Sequence, residues 1–193
     1  MPRRTLAREA TIEGIGLHTG ARVTARCVAA EPGRGIVFRR VDLPGAPEVP
    51  ARLSQVRSTE RHTALGELPG TVETVEHLLA AAAALQLDDL TVELDGPEPP
   101  IGDGSFAPFL DALRQAGVRE QPGEPVRYRV TAPFHLTEGD ASYVVAPGPA
   151  LRLTTTVEWR HPLIGRQSGS FDITPESFGR ELEALRHSRI DLI

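Results

Sequence analysis

TVEHLLAAAAALQLDDLTVELDG, residues 74–96, reads as a helix followed by a strand, and that succession decides the fold class. Val75, Leu78, Leu79, Ala82 and Leu85 fall on one arc at helical spacing, which predicts a helix over residues 75–86. The remainder is mostly alanine. Such a helix has hardly any solvated face, so it is expected to be buried on several sides. Leu90–Leu94 (LTVEL) then reads as a strand.

Working outward, Ser105 is expected to cap a second helix whose stripe is Phe106, Phe109, Leu110 and Leu113, with Pro108 in its first turn and Gly117 past its end. Upstream, residues 3–30 read as extended chain punctuated by Gly14, Gly16 and Gly20. Val23, Ala25, Cys27 and Ala29 alternate there as one face of a half-buried strand. GIVFRR (35–40) is a further apolar run, 41–50 a proline-rich connection, and 54–70 mixed and turn-prone. Residues 1–120 are thus expected to form one α+β domain, a mainly antiparallel sheet with two helices packed on it.

REQPGEP (119–125) is the candidate linker. Beyond it, strands are expected at 126–130, 143–146 and 151–159. A third helix should open on Thr174, Pro175 and Glu176 and carry the stripe Phe178, Leu182 and Leu185. Both halves run strands first and helix after. The expected class is α+β: a two-layer sheet-and-helix domain, then a second related α+β domain over 126–193, present only in part.

Composition narrows the function. The 193 residues are 40% hydrophobic and 24% charged, as ordinary globular proteins are. A net charge of −5 argues against a nucleic-acid protein, whose affinity needs clustered Lys and Arg. The single cysteine, Cys27, rules out an intramolecular disulfide, suits a reducing compartment, and sits where a small core residue belongs. MPRRTLAREA has no apolar run behind its basic residues, and no stretch approaches the ~20 apolar residues of a membrane span. A cytoplasmic protein is the expectation.

Three strings could carry chemistry. With Thr74 as cap, Glu76 and His77 stand at the second and third helical positions, off the leucine arc. A Glu–His pair without a solvated face needs partners, because burying a charge is costly unless it is paired or metal-bound. The positive helix end favours the carboxylate and keeps His77 neutral, able to ligate a metal. The other reading is a capped helix start with His77 hydrogen-bonded, and spacing alone favours it. In PPIGDGSFAPF (99–109), Asp103 is either a turn residue or the orienter of a catalytic group. In GIGLHTG (14–20), His18 sits in a glycine-rich turn, and His62 in RSTERHTALG (57–66) is equally open. HExxH, CxxC pairs, a P-loop and GxSxG are all missing, which removes the commonest protease, zinc-ribbon, NTPase and hydrolase classes.

Read together, RRTLAREATIEGIGLHTG, RSTERHTALG, TVETVEHLLAAAAAL, LDDLTVELDGPEPPIGDGSFAPF and EWRHPLIGRQ stand in the order and at the distances of one family. The chain resembles the zinc-dependent UDP-3-O-acyl-N-acetylglucosamine deacetylases of lipid A biosynthesis, in their N-terminal portion. The resemblance implies two α+β domains facing each other, with Zn2+ and a UDP-sugar substrate bearing an acyl chain between them. It makes His77 a zinc ligand and Glu76 the general base on the attacking water. Leu17, His18, Arg61 and His62 fall on the substrate side, and Asp103 is the acid of the family's DGS string, beside the active site. The family's remaining ligands, in an H-x-x-x-D arrangement, match nothing in this sequence, nor does the later histidine that protonates the leaving amine. Where the family carries Ala-Arg-Thr-Phe, the chain reads Leu185-Arg186-His187-Ser188, and the likeness fades after Glu183. The alternative implied is a truncated or divergent, non-catalytic homologue.

Overall fold

A computed structural model describes residues 2–178, which fall into two compact units, 2–125 and Val126–Phe178. The chain order in the first is β1 (Arg3–Leu6), β2 (Ala10–Ile15), β3 (Arg22–Ala29), β4 (Ile36–Arg40), β5 (Glu48–Pro50), β6 (Val56–Ser58), β7 (Ala64–Leu65), α1 (Glu76–Ala84), β8 (Leu90–Leu94), α2 (Ala107–Ala116) and β9 (Val118–Gln121). β2, β3, β8, β4 and β5 form one sheet in that order. Every pairing is antiparallel except β4 with β8, which brings Phe38 beside Val92.

Alternation builds the sheet's buried face. Val23, Ala25 and Cys27 of β3 point inward with Leu90, Val92 and Leu94 of β8. The pattern stops at Cys27, two residues before the expected Ala29: Ala29 is exposed and Ala30 takes the buried place. α1 packs against α2, and α2 against β2. Ala83 is the one exposed residue of α1, so the helix, apolar after Glu76 and His77, is enclosed as its composition predicts. The second helix starts at Ala107, so its cap position falls to Phe106 and not to the expected Ser105, whose Oγ accepts the Ala107 N–H at 3.2 Å; Gly117 ends it at φ +75°. The fold is α+β, as read from the sequence.

Several expectations at the margins need correction. The connection 41–50 contains β5, and 54–70 contains β6 and β7. Within the expected linker, Arg119–Gln121 belongs to β9, paired antiparallel with β1 through Arg3–Gln121 to Leu6–Val118.

In the second unit, residues 126–130 form no strand. The strands are β10 (Phe134–Glu138), β11 (Ala141–Val145), β12 (Arg152–Glu158) and β13 (Arg166–Asp172), joined as two antiparallel hairpins. A helical turn, Pro175–Ser177, follows. Thr174 caps it as expected, accepting the Ser177 N–H at 3.1 Å. The stripe beyond Phe178 and the string Leu185–Ser188 lie outside the described residues.

Cys27 is fully buried, and burial alone pushes its thiol up to about 12. A thiolate is the reactive form. The native chain is therefore expected to resist a thiol reagent such as DTNB at pH 8 and to release one equivalent of colour only after denaturation. Rapid native labelling would contradict the packing.

Candidate active site at the root of α1

The helix that decides the fold also presents its two most reactive side chains at its first turn. Thr74 does not cap it. Its backbone is left-handed, φ +53°, which carries the hydroxyl away from the helix to donate to Glu98 Oε2 at 3.1 Å. The cap position falls to Val75, which offers no side-chain acceptor. Glu76 is half-buried, and its Oε2 accepts the Thr63 N–H at 3.1 Å. His77 is 9% exposed, with Nε2 sealed from solvent.

Four sequence motifs close a ring of contacts around this turn. Glu76 holds Thr63, and its neighbour His62 lays its ring against His18, centroids 4.7 Å apart and tilted by 46°. The His18 N–H donates to Glu98 Oε1 at 3.0 Å, and Glu98 accepts from Thr74, two residues before Glu76. His18, His62, Glu76 and His77 are thereby tied into one framework. Leu17 is half-buried in the same loop. Arg61 is exposed, and its φ of +63° turns the chain into His62.

Glu98 is the member that sequence reasoning missed. It is fully buried and also accepts the Thr19 N–H at 2.7 Å and the Thr19 hydroxyl at 2.8 Å. Burial pushes its carboxyl up, but the donors from Thr19, Thr74 and His18 outweigh that and hold it below the ordinary glutamate range. Its signal is faint: an acid flanked by Pro97 and Pro99, where a turn suffices as an explanation.

Gly16 is what lets the carboxylate in. A Cβ there would lie 2.7 Å from Glu98 Cδ and 2.5 Å from Thr19 Oγ1. Gly16→Ala is therefore expected to destabilise the fold by about 1–3 kcal/mol, the usual range for overpacking, and to displace the His18–Thr19 turn. Urea unfolding and the Thr19 amide resonance report both; an unshifted amide would refute the close approach.

Asp103 precedes the second helix. Its Oδ1 accepts from the Ser105 N–H at 3.0 Å and the Ser105 hydroxyl at 2.7 Å, at the exposed turn that leads into α2. The same turn is fastened to β2 through Ile101, whose N–H donates to Ile15 O at 2.9 Å, next to Gly16. For a metal, the donor set is short. Among the described residues no three His, Cys, Asp or Glu side chains gather closely enough to hold an ion. His77 fits as one donor; the described residues do not complete a site.

Comparison with known proteins places the chain in a lineage. The family model of UDP-3-O-acyl N-acetylglycosamine deacetylase matches residues 3–188, running past Glu183, where the motif reading lost the pattern. A UDP-3-O-acyl-N-acetylglucosamine deacetylase of Myxococcus xanthus is 42% identical over 95% of this chain and 59% of its own length. Similar deacetylases of Bdellovibrio bacteriovorus and a Geobacter species are 39% and 38% identical over 95% of this chain, and 61% and 60% of theirs. The chain thus spans about 60% of the length of these curated relatives. It belongs to the UDP-3-O-acyl N-acetylglycosamine deacetylase family.

Proposed function

We propose that this chain is part of an enzyme that hydrolyses the acetamide of UDP-3-O-acyl-N-acetylglucosamine to the free amine and acetate, a step of lipid A biosynthesis. The observation that carries the reading is the Glu76–His77 pair at the root of α1, tied by Thr63 and Glu98 to the loops bearing His62 and His18. In the reaction the water oxygen bonds to the acetyl carbon while its proton passes to Glu76. The C–N bond then breaks, acetate leaves, and the amine nitrogen takes up a proton. His77 would contribute one ligand to a zinc ion, which when bound polarises the carbonyl and acidifies the water. Leu17, His18, Arg61 and His62 face the substrate, and Asp103 supports the site from its turn. A single buried cysteine fits a cytoplasmic setting.

A second reading, a non-catalytic homologue, draws on the incomplete donor set among the described residues. Catalytic zinc ordinarily takes three protein ligands, so the isolated 193-residue chain is expected to bind well below one zinc per chain and to release no acetate. Joined to the remaining sequence of the Myxococcus xanthus relative, the chain should release acetate and bind zinc, and His77→Ala should abolish both. A folded but inactive joined protein would favour the non-catalytic reading. Acetate release by the 193 residues alone, lost in His77→Ala, would show that no further ligands are needed.

A further inference from the structure

We propose that Glu98 is a positioning residue for the Glu76–His77 pair: its buried carboxylate locks the left-handed Thr74 at the root of α1 to the His18–Thr19 turn. The inference deepens the deacetylase reading and rests on it for its kinetic consequences, though its structural half stands alone.

Thr74 carries the argument. A β-branched residue at φ +53° is a backbone outlier, and such strain persists only where the surroundings over-determine it. Two contacts hold it: the Thr74 hydroxyl reaches Glu98 Oε2, and the Glu73 N–H donates to Pro97 O at 2.8 Å, so Thr74 and the residue before it are both fastened to the segment bearing Glu98. Thr74 is 3% exposed, which leaves its hydroxyl no water to turn to. Two residues later the chain is Glu76, then His77. The direction of both side chains is set by the angle at which the chain leaves Thr74, and a misaimed base or ligand is costly out of proportion to its displacement. The other Glu98 oxygen gathers the His18 and Thr19 N–H groups and the Thr19 hydroxyl. One carboxylate therefore fixes the helix root and the facing loop against each other, as outer-shell partners do for ligating residues.

The charge is essential to this role. All the donors named point at the carboxylate, and an amide in its place would turn an N–H2 group toward at least one of them. Glu98→Gln is thus expected to loosen the framework with little change in volume. Thr74→Val removes only the hydroxyl, and Thr74→Ser keeps it.

The test has two arms. In the 193-residue chain, amide hydrogen exchange of Glu76 and His77 should speed up at least tenfold in Glu98→Gln and Thr74→Val and stay at the wild-type rate in Thr74→Ser. Exchange in β3 and β8 should not move. Uniform acceleration across the unit, or none at the helix root, would overturn the proposal and reduce Glu98 to general stability. In the joined, active protein, Glu98→Gln and Thr74→Val should each lower kcat about 10–100-fold with KM nearly unchanged. The double variant should lose no more than the worse single, and Thr74→Ser should retain the rate. Wild-type kcat in Glu98→Gln would refute the positioning role. An inactive joined wild type would sink the deacetylase reading instead, and leave the exchange arm to decide this one.

Discussion

Asp89→Asn is expected to destabilise the first unit by about 3–5 kcal/mol, the usual result of removing one partner of a buried ion pair. Asp89 has no exposure, and its carboxylate is saturated. Oδ2 accepts Arg3 Nε and Gln121 Nε2, and Oδ1 accepts Arg3 Nη2 and the Gly35 N–H, all at 2.7 Å. The bidentate Arg3 comes from β1, Gln121 from β9, and Gly35 leads into β4, so one carboxylate staples three stretches that are far apart in sequence. The asparagine keeps the shape but strands a buried guanidinium and turns an N–H2 toward donors. Much of the loss is therefore the cost of orphaned partners, and less the worth of the pair. A fall in Tm of roughly 10–20 °C should follow for a unit of this size. pH gives an independent check. Burial pushes the Asp89 carboxyl up, but Arg3, Gly35 and Gln121 outweigh it and leave the group below the ordinary aspartate range. A depressed carboxylate stabilises fully above its unfolded pKa of ~3.9, and the contribution is lost as pH falls through the lower folded value. The stability gap between wild type and Asp89→Asn should thus be constant at neutral pH and shrink below about pH 4. A gap that stayed constant into strong acid would mean that the charge of Asp89 contributes nothing.

Asp89 also shows what kind of information a sequence hides. α1, β8 and α2 were legible because their signals are local: an apolar arc, a short β-rich run, a Gly past the last turn. Where the deciding partner is distant, local rules mislead. Thr74 before a helix reads as a cap, yet its hydroxyl goes to Glu98, 24 residues on. Arg119–Gln121, within REQPGEP, reads as linker, yet it is sheet because β1, paired through Thr5–Arg119 to Arg3–Gln121, waits far upstream. The opposite failure is residues 126–130, whose alternation suggests a strand but finds no partner among the described residues. RQSGSFD, as β13, has too little apolar alternation to be read as a strand. Cross-strand pairs hold it: Arg152 with Asp172, Thr154 with Ser170, and Thr156 with Ser168. The site followed the same rule. Glu76 and His77 stood out by type and position, and the family likeness added His18 and His62. Glu98, whose contacts are made across the fold, carried only the faint mark of an acid between two prolines.

Glu76→Ala is expected to cut deacetylation by about 10²–10⁴ in the joined protein while zinc content stays at the wild-type level. On the proposed reading the two neighbours at the root of α1 take separable roles. His77 offers a ring nitrogen sealed from solvent, and its loss should release metal. Glu76 is half-buried and oriented through Oε2 by the Thr63 N–H, an arrangement that fixes a carboxylate without neutralising it. Glu76→Gln separates proton transfer from scaffolding. Its amide oxygen can still accept from Thr63, so the loop stays in place, but it cannot take a proton from water. Gln should therefore be as slow as Ala, within about tenfold, and fold as well as wild type. Metal analysis of purified variants and steady-state acetate release decide the matter. Zinc loss in Glu76→Ala equal to that in His77→Ala would make both residues ligands. Substantial activity in Glu76→Gln would leave the carboxylate only its hydrogen bond to Thr63, and the base would have to be sought elsewhere.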